Sequence, residues 1–236
     1  MIKPKISVII PTLNEEKNIK QLLQDLQQQT QIPDQIIVVD AGSSDRTCDI
    51  VTEFKQVHCL HSHPPVGGQR TQGGKFASGD LLFFIDADVR VPENYIKSMS
   101  EEFFHRNLDC ACPWYIPHHS RWDIYLIFLL FNIIFWLTQW CLPSGAGMAI
   151  LVNKNLFSQI GGFKPEYTFD DIAFIRQSGR QGKFRIINQA VYVSDRRFRT
   201  YGTLKMLVTY LLLSIFFTFG LFKQANLIRY KFGGYK

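Results

Sequence analysis

The sequence predicts an α/β fold with a mostly parallel central sheet flanked by helices. Two features of its first half carry that expectation. Short apolar runs such as "SVII", "IIVV" and "LLFFI" lack the polar alternation of a half-exposed strand and read as strands covered on both faces. Between them lie stretches with apolar residues at helical spacing, and strands alternating with helices imply parallel pairing through right-handed crossovers. At 236 residues the chain accommodates one large domain of this kind or two small ones.

In order, residues 6–11 form a first strand closed by Pro11. The helix over residues 14–29 sets Ile19, Leu22, Leu23 and Leu26 at helical spacing and takes Asn14 as its N-cap. Residues 35–40 form a second strand ending in Asp40, followed by the turn "AGSSD" and a helix from Thr47 to Lys55. A third strand, residues 57–62, leads through Gly67-Gly68 to a basic helix or loop bearing Arg70 and Lys75. The fourth, residues 81–86, runs five apolar side chains straight into Asp86-Ala87-Asp88. Carboxylates held this close repel unless a cation sits between them, and hard oxygen donors suit a hard metal. The same aspartates also suit a turn or helix cap ahead of Pro92.

Composition narrows the function classes. Hydrophobic residues make up 46% of the chain, and 20 Phe with 9 Tyr point to an apolar partner. The net charge of +6 is uneven: from Asp195 onward Arg196, Arg197, Arg199, Lys205, Lys223, Arg229, Lys231 and Lys236 face Asp195 alone, a local +7 that leaves the remainder at −1. A basic tail interleaved with Phe, Leu and Tyr fits an anionic membrane surface better than nucleic acid, which is not an expected partner. The five cysteines are odd in number and no signal-peptide pattern opens the chain, which argues for a reducing interior without a disulfide framework. Cys110-Ala-Cys112, His61-Ser-His63 and His118-His119 lack the partnered spacing of a zinc site.

A parallel sheet opens all its strand ends on one edge, which gathers Pro11-Thr12-Leu13-Asn14-Glu15, Asp40 to Ser43, Arg70, Lys75 and Asp86-Ala87-Asp88. A nucleotide needs acceptors for its base and ribose, cations for its phosphates and a divalent metal to bridge the pyrophosphate, and this set supplies each. Neither a G-x-G-x-x-G turn nor a Walker glycine-lysine loop is present, so an ordinary dinucleotide site and a P-loop are both unsupported.

"SVIIPTLNEE", "IIVVDAGSSDRT", "GDLLFFIDADV", "SGAGMAILVNKNLFSQIGGF" and "FDDIAF" occur in the order and spacing of family-two glycosyltransferases of the GT-A fold, and the tail resembles that of small bacterial members. The resemblance covers residues 5 to 223. It implies that Pro11, Thr12, Leu13 and Glu15 line the nucleoside pocket and that Asp40 accepts from the base. It sets Arg70 and Lys75 near the diphosphate, and makes Asp86-Ala87-Asp88 the metal motif, with Asp88 the direct ligand to Mn2+ or Mg2+ and Asp86 nearer the ribose. Asp170-Asp171 stands at the family's Glu-Asp, with Asp171 as general base of an inverting transfer; both aspartates also suit a helix N-cap. Ser144, Gly145, Ala146 and Gly147 sit beside the sugar and acceptor. Arg196-Arg197 reads as a phosphate or headgroup clamp or as a solvated basic turn, and Asp195 as a further possible ligand. Two departures stand out: Ala173 replaces an acid that relatives often carry, and Gln69-Arg70-Thr71-Gln72 replaces an Ala-Arg-Asn run.

Two greasy segments bear on the acceptor. Residues 122–143 are apolar on nearly all faces, broken by Asn132, Thr138 and Gln139, and residues 206–222 are at the lower limit for crossing a bilayer. They read as helices lying on or dipping into the cytoplasmic leaflet, with one true transmembrane span as the alternative and buried core helices as another. The expected organisation is a nucleotide-sugar-binding half (1–120), an apolar membrane-associated segment (121–143), an acceptor and catalytic half (144–200) and apolar, basic helices (201–236). The expected activity is a metal-dependent hexosyl transfer from a uridine- or guanosine-linked sugar to a lipid or polyprenyl acceptor at the cytoplasmic face of the membrane. Competing readings are a sugar-nucleotide nucleotidyltransferase and a non-catalytic nucleotide-binding module at the membrane.

Overall fold

The computed structural model describes residues 4–118 and 120–227. His119 and the basic residues Arg229, Lys231 and Lys236 lie outside the described residues. The elements run β1 (Ile6–Thr12), α1 (Ile19–Gln27), β2 (Gln35–Asp40), α2 (Thr47–Thr52), β3 (Val57–His61), α3 (Val66–Phe76), β4 (Leu81–Ile85), α4 (Tyr95–His105), β5 (Cys110–Pro117), α5 (Trp122–Thr138), β6 (Ala149–Asn153), α6 (Lys154–Ile160), α7 (Asp170–Gln181), β7 (Phe184–Val193), α8 (Arg196–Tyr201), α9 (Thr203–Thr218) and α10 (Phe222–Ala225). One seven-stranded sheet has the order β3-β2-β1-β4-β6-β5-β7. The four expected strands are parallel neighbours, and β1 and β4 are buried along their whole length, as their unbroken apolar runs require.

The second half of the sheet has a different logic. Strand β6 is inserted antiparallel between β4 and β5, and β7 then pairs parallel to β5, so residues from 144–200 complete the sheet begun by 1–120. Because β6 runs against its neighbours, the loop entering it lies at the edge where the other strands end. The end of β7, and the start of α7 which precedes it, reach that same edge. An isolated bridge between Arg90 and Tyr192 ties the segment after β4 to the end of β7, with backbone bonds of 2.8 and 2.9 Å. Topology alone therefore brings residues 12–15, 86–88, 144–147, 170–171 and 194–196 together.

Asn14 does not cap the first helix, which starts five residues later at Ile19. Asn14 instead adopts a left-handed φ of 56°, and its side-chain oxygen accepts from Ser44 N at 2.8 Å, tying this loop to the turn after β2. The second helix stops at Thr52 rather than Lys55. The segment bearing Arg70 is a helix, and its Gln69 and Gln72 stitch strands: Gln69 Nε2 donates to Thr12 O and Val39 O at 2.8 and 2.6 Å, and Gln72 Nε2 to His61 O at 3.0 Å. Gly73 makes this packing possible, since a Cβ there would lie 2.5 Å from Ile9 Cγ2.

No helix among the described residues is long and apolar enough to cross a membrane. Nor is α5 a core helix. Its Asn132 and the Gln139 that follows its last turn are buried, whereas Trp122, Leu126, Leu129, Leu130, Ile133 and Leu137 are exposed. Asn132 explains the break in the apolar run: its amide accepts from Tyr115 N at 3.0 Å and donates to Tyr115 O at 2.8 Å, fastening α5 to β5. On its inner side α5 meets α8 and α9 through Ile124, Phe198 and Met206.

Candidate active site

Arg70, on the second turn of α3, is the hub of the sheet edge. Its guanidinium is 4% exposed and donates from Nη1 to both oxygens of Asp170, at 3.0 and 3.2 Å, and from Nη2 to Asp86 Oδ1 at 2.8 Å and Gly147 O at 3.1 Å. One side chain thus joins the ends of β4 and the loop before β6 to the start of α7. Gly147 is required by this close approach: a Cβ would lie 2.6 Å from Arg70 Nη2 and 2.8 Å from Asp171 Oδ2. Burial opposes the positive charge, but Asp170, Asp86 and Asp171 outweigh it and raise the pKa further above an ordinary arginine. Arg70 Nη1 and Nη2 are thus engaged by protein partners, whereas its buried Nε has none among the described residues. Lys75, exposed on the last turn of α3, lies away from this hub toward the opposite edge of the sheet.

The two aspartates opening α7 part company. Asp170 is 2% exposed and held by Arg70; burial and the neighbouring Asp171 push its carboxyl up to about 6 against the pull of Arg70. It is a positioning residue, out of reach of a substrate. Asp171 is only partly buried, and its Oδ2 accepts from Gly147 N at 2.6 Å, which aims the carboxylate along the loop of Ser144, Gly145, Ala146 and Gly147. That loop is anchored from below by the Tyr115 hydroxyl, which donates to Ala146 O at 2.8 Å. Gly145 passes so close to β5 that a Cβ would meet Cys112 Sγ at 2.8 Å.

Nearer solvent lies a cavity of about 560 Å³, lined by Ala87, Asp88, His118, Ser194, Asp195 and Arg196, with Lys17 and Asn18 from the other side. Arg196 Nη2 stands 3.3 Å from Glu15 Oε1 and 3.5 Å from Asp88 Oδ2. Burial and then the Asp86 charge push the Asp88 carboxyl up, with Arg196 and Arg197 opposing. Glu15 is likewise pushed up by burial and by Asp88, against hydrogen bonds from Asn18 and Arg196. Asp195 is occupied, accepting from Ser120 Oγ at 2.8 Å and pairing with Arg199 at 2.7 Å. Lys17 and His118 escaped the sequence reading because they come from unrelated connections that only the topology gathers.

Asp40 lies at the same edge but faces inward, 1% exposed. Its oxygens accept from Thr12 Oγ1 at 3.0 Å, Gly42 N at 2.9 Å, and Ser43 N and Oγ at 2.8 and 2.5 Å. Burial opposes its charge, yet these bonds hold the carboxyl below the usual range. With its lone pairs engaged, Asp40 shapes the turn of residues 41–45 and has none spare for a base. Pro11 and Thr12 are buried beside it and Leu13 half-buried.

Among the described residues no three His, Cys, Asp or Glu side chains cluster into a metal cage. Asp88, which lines the cavity, and Asp86, two residues before it, are each about a quarter exposed as side chains and nevertheless offer hard carboxylate oxygens. Such a pair fits a magnesium or manganese ion that keeps waters and takes further ligands from phosphates.

The fold has close relatives in shape. The chain superposes with a TM-score of 0.64 on the crystal structure of S. aureus TarS 1–349 in complex with UDP-GlcNAc, at 21% identity, covering 81% of this chain and 58% of that one. On the mannosyltransferase PcManGT from Pyrobaculum calidifontis in complex with GDP-Man and Mn2+ the TM-score is 0.61, at 18% identity, covering 83% and 56%. In sequence it is 24% identical over 207 residues to glycosyltransferase GlyG of Streptococcus pneumoniae, covering 84% of this chain and 63% of that protein. It thus spans less than two thirds of each of these relatives. Residues 7–165, which hold the hub arginine and both aspartates after β4, match the sequence profile of glycosyl transferase family 2, and the chain belongs to that family.

Proposed function

We propose that the chain transfers a hexosyl group, with inversion, from a uridine- or guanosine-diphosphate sugar to a lipid-linked alcohol at the cytoplasmic face of a membrane. The observation that carries the reaction is the meeting of Asp86 and Asp171 around Arg70 with Asp88 beside Arg196 at the same sheet edge. The donor's nucleoside lies along Pro11, Thr12, Leu13 and Glu15, and Arg196 and Arg197 draw its phosphates toward the cavity. Asp86 and Asp88 would hold Mn2+ or Mg2+, which when bound supplies Lewis-acid stabilisation of charge on the departing diphosphate. Asp171, aimed by Gly147 N, takes the proton from the acceptor hydroxyl as it attacks the opposite face of the sugar. Asp170 and Arg70 keep that carboxylate in register with the loop of residues 144–147.

The inverted exposure of α5 supports the lipid acceptor. Asn132 is buried against the protein beside Ile124, while an outer row of apolar side chains stays exposed, which suits an apolar exterior. On α9 the outward Leu204, Val208, Leu211, Leu212 and Ile215 continue this surface, while Thr209, Ser214 and Thr218 return their hydroxyl protons to carbonyls one turn back. The test is Asp171→Asn assayed with nucleotide sugars and a lipid extract. Nucleotide binding persists while transfer falls by roughly 10²–10⁴-fold; transfer at the wild-type rate removes Asp171 as the base.

A further inference from the structure

A second cavity, of about 330 Å³, lies on the far face of α7, where that helix meets α10. Its lining includes Lys164, Tyr167, Arg176, Gln177, Arg180 and Phe222, and no Asp or Glu belongs to it. This contrasts with the first cavity, where Arg90, Arg196 and Arg199 each pair with a carboxylate. Arg176 is 7% exposed; its Nη1 donates to Phe217 O, its guanidinium carbon stands 5.9 Å from the centre of the Phe222 ring, and its Nε has no hydrogen-bond partner among the described residues. Among the described residues neither Lys164 nor Arg180 forms an ion pair. Burial and the neighbouring Arg180 lower the Arg176 pKa, the mark of a cation lacking its counter-charge. Buried charges are normally paired, so three cations around one hollow, one of them buried with an unmet donor, describe a site for an anion.

We propose that this pocket binds a phosphate ester, with Arg176 as the buried contact and Lys164 and Arg180 closing over it. Guanidinium donors suit tetrahedral oxyanions, and Gln177 adds a neutral donor. Its position favours a lipid source: α10 follows closely on α9, and the exposed Ile215 of α9 and Phe219 just after it form one end of the apolar face. A phospholipid headgroup seated here sets how the protein sits on the bilayer. The pocket itself stands without the catalytic reading; only the lipid origin of the phosphate rests on the membrane reading.

The test uses the full chain and Lys164→Ala/Arg180→Ala, both exposed positions whose loss spares the core. Glycerol-1-phosphate is titrated calorimetrically in the presence of saturating uridine diphosphate, and flotation is measured on phosphatidylcholine vesicles with and without phosphatidylglycerol. Removal of the two charges weakens glycerol phosphate binding about thirtyfold, at roughly a fivefold loss per basic residue. Loss of the phosphatidylglycerol preference in the same variant assigns the phosphate to lipid, and a preference left intact assigns it to a soluble ester. Unchanged glycerol phosphate affinity in the variant overturns the site. Leu126→Glu/Ile133→Glu, which alters the outer face of α5 alone, separates the readings: it abolishes flotation on both vesicle types if that face meets lipid, and leaves glycerol phosphate binding unchanged.

Discussion

Two charge clusters lie within one sheet edge and are built on opposite terms. Around Arg70 the pairs are short, 2.8 and 3.0 Å, and nearly closed to water, with Arg70 and Asp170 exposed by only 4% and 2%. Around Arg196 the contacts lengthen to 3.3 and 3.5 Å, and one guanidinium nitrogen is shared between Glu15 and Asp88. The inner cluster fixes backbone segments far apart in sequence. The outer one holds opposed charges loosely enough for phosphates and a cation to replace protein partners. The difference teaches that the charged residues of such a site divide by depth: the inner set determines where the edge is, the outer set what binds there.

The largest effect expected from breaking the inner cluster is on stability. Arg70→Met leaves Asp170 buried beside Asp86 and Asp171 without its cation, and removal of one partner from a buried pair costs roughly 3–5 kcal/mol. Urea denaturation reads this loss, and Arg70→Met/Asp170→Asn recovers part of it because the orphaned charge goes too. A loss below about 1 kcal/mol in the single variant would show that the hub is dispensable to the fold. Asp88→Asn probes the outer cluster and should do the reverse. Transfer falls about 10³-fold, as for loss of an electrostatic contact to the transition state. The urea midpoint holds or rises, since a carboxylate that repels Asp86 and Glu15 has been neutralised. A variant that unfolds instead would merge the two clusters into one structural unit.

The same depth decides how much of the molecule was legible. β1, β2 and β4 declared themselves because each is buried on both faces and so has an unbroken apolar run. Asp86, Asp88 and Asp171 were legible because they follow strand ends or carry a family motif. The partners of Arg70 were not, since Asp170 lies 100 residues away and the pairing depends on β6 entering the sheet backwards. Asp40 carried the right motif, but the four protein donors that consume its lone pairs come from backbone turns and hydroxyls that no spacing rule marks. Asn14 looked like a cap because Asn serves both caps and left-handed turns, and the Ser43 and Ser44 contacts across the loop chose the second. α5 showed composition without address: its 17 residues fit a bilayer surface or a core equally until Asn132 met Tyr115.

The smallest expected effect sharpens the comparison through pH. Burial, opposed by Arg70 and aided by Asp171, raises the Asp170 carboxyl from 3.8 to about 6 in the folded protein. Between those values the native state holds a proton that the unfolded chain has released, so stability falls as pH rises, by at most about 1.4 kcal/mol per unit. The contribution is therefore fully present below the unfolded value and lost as pH passes through the folded one. Asp170→Asn has no such proton, so the stability of wild type relative to this variant should decline from pH 4 to pH 6 and level off above, read by urea denaturation at fixed salt. The Arg196 cluster, separate from Asp170, should leave that pH-dependent decline unchanged when Arg196→Gln is added to both proteins. A wild type that gains on Asp170→Asn as pH rises would mean that Arg70 attracts the carboxylate more strongly than burial repels it, making the inner cluster an ion pair held for its own attraction rather than for the backbone it fixes.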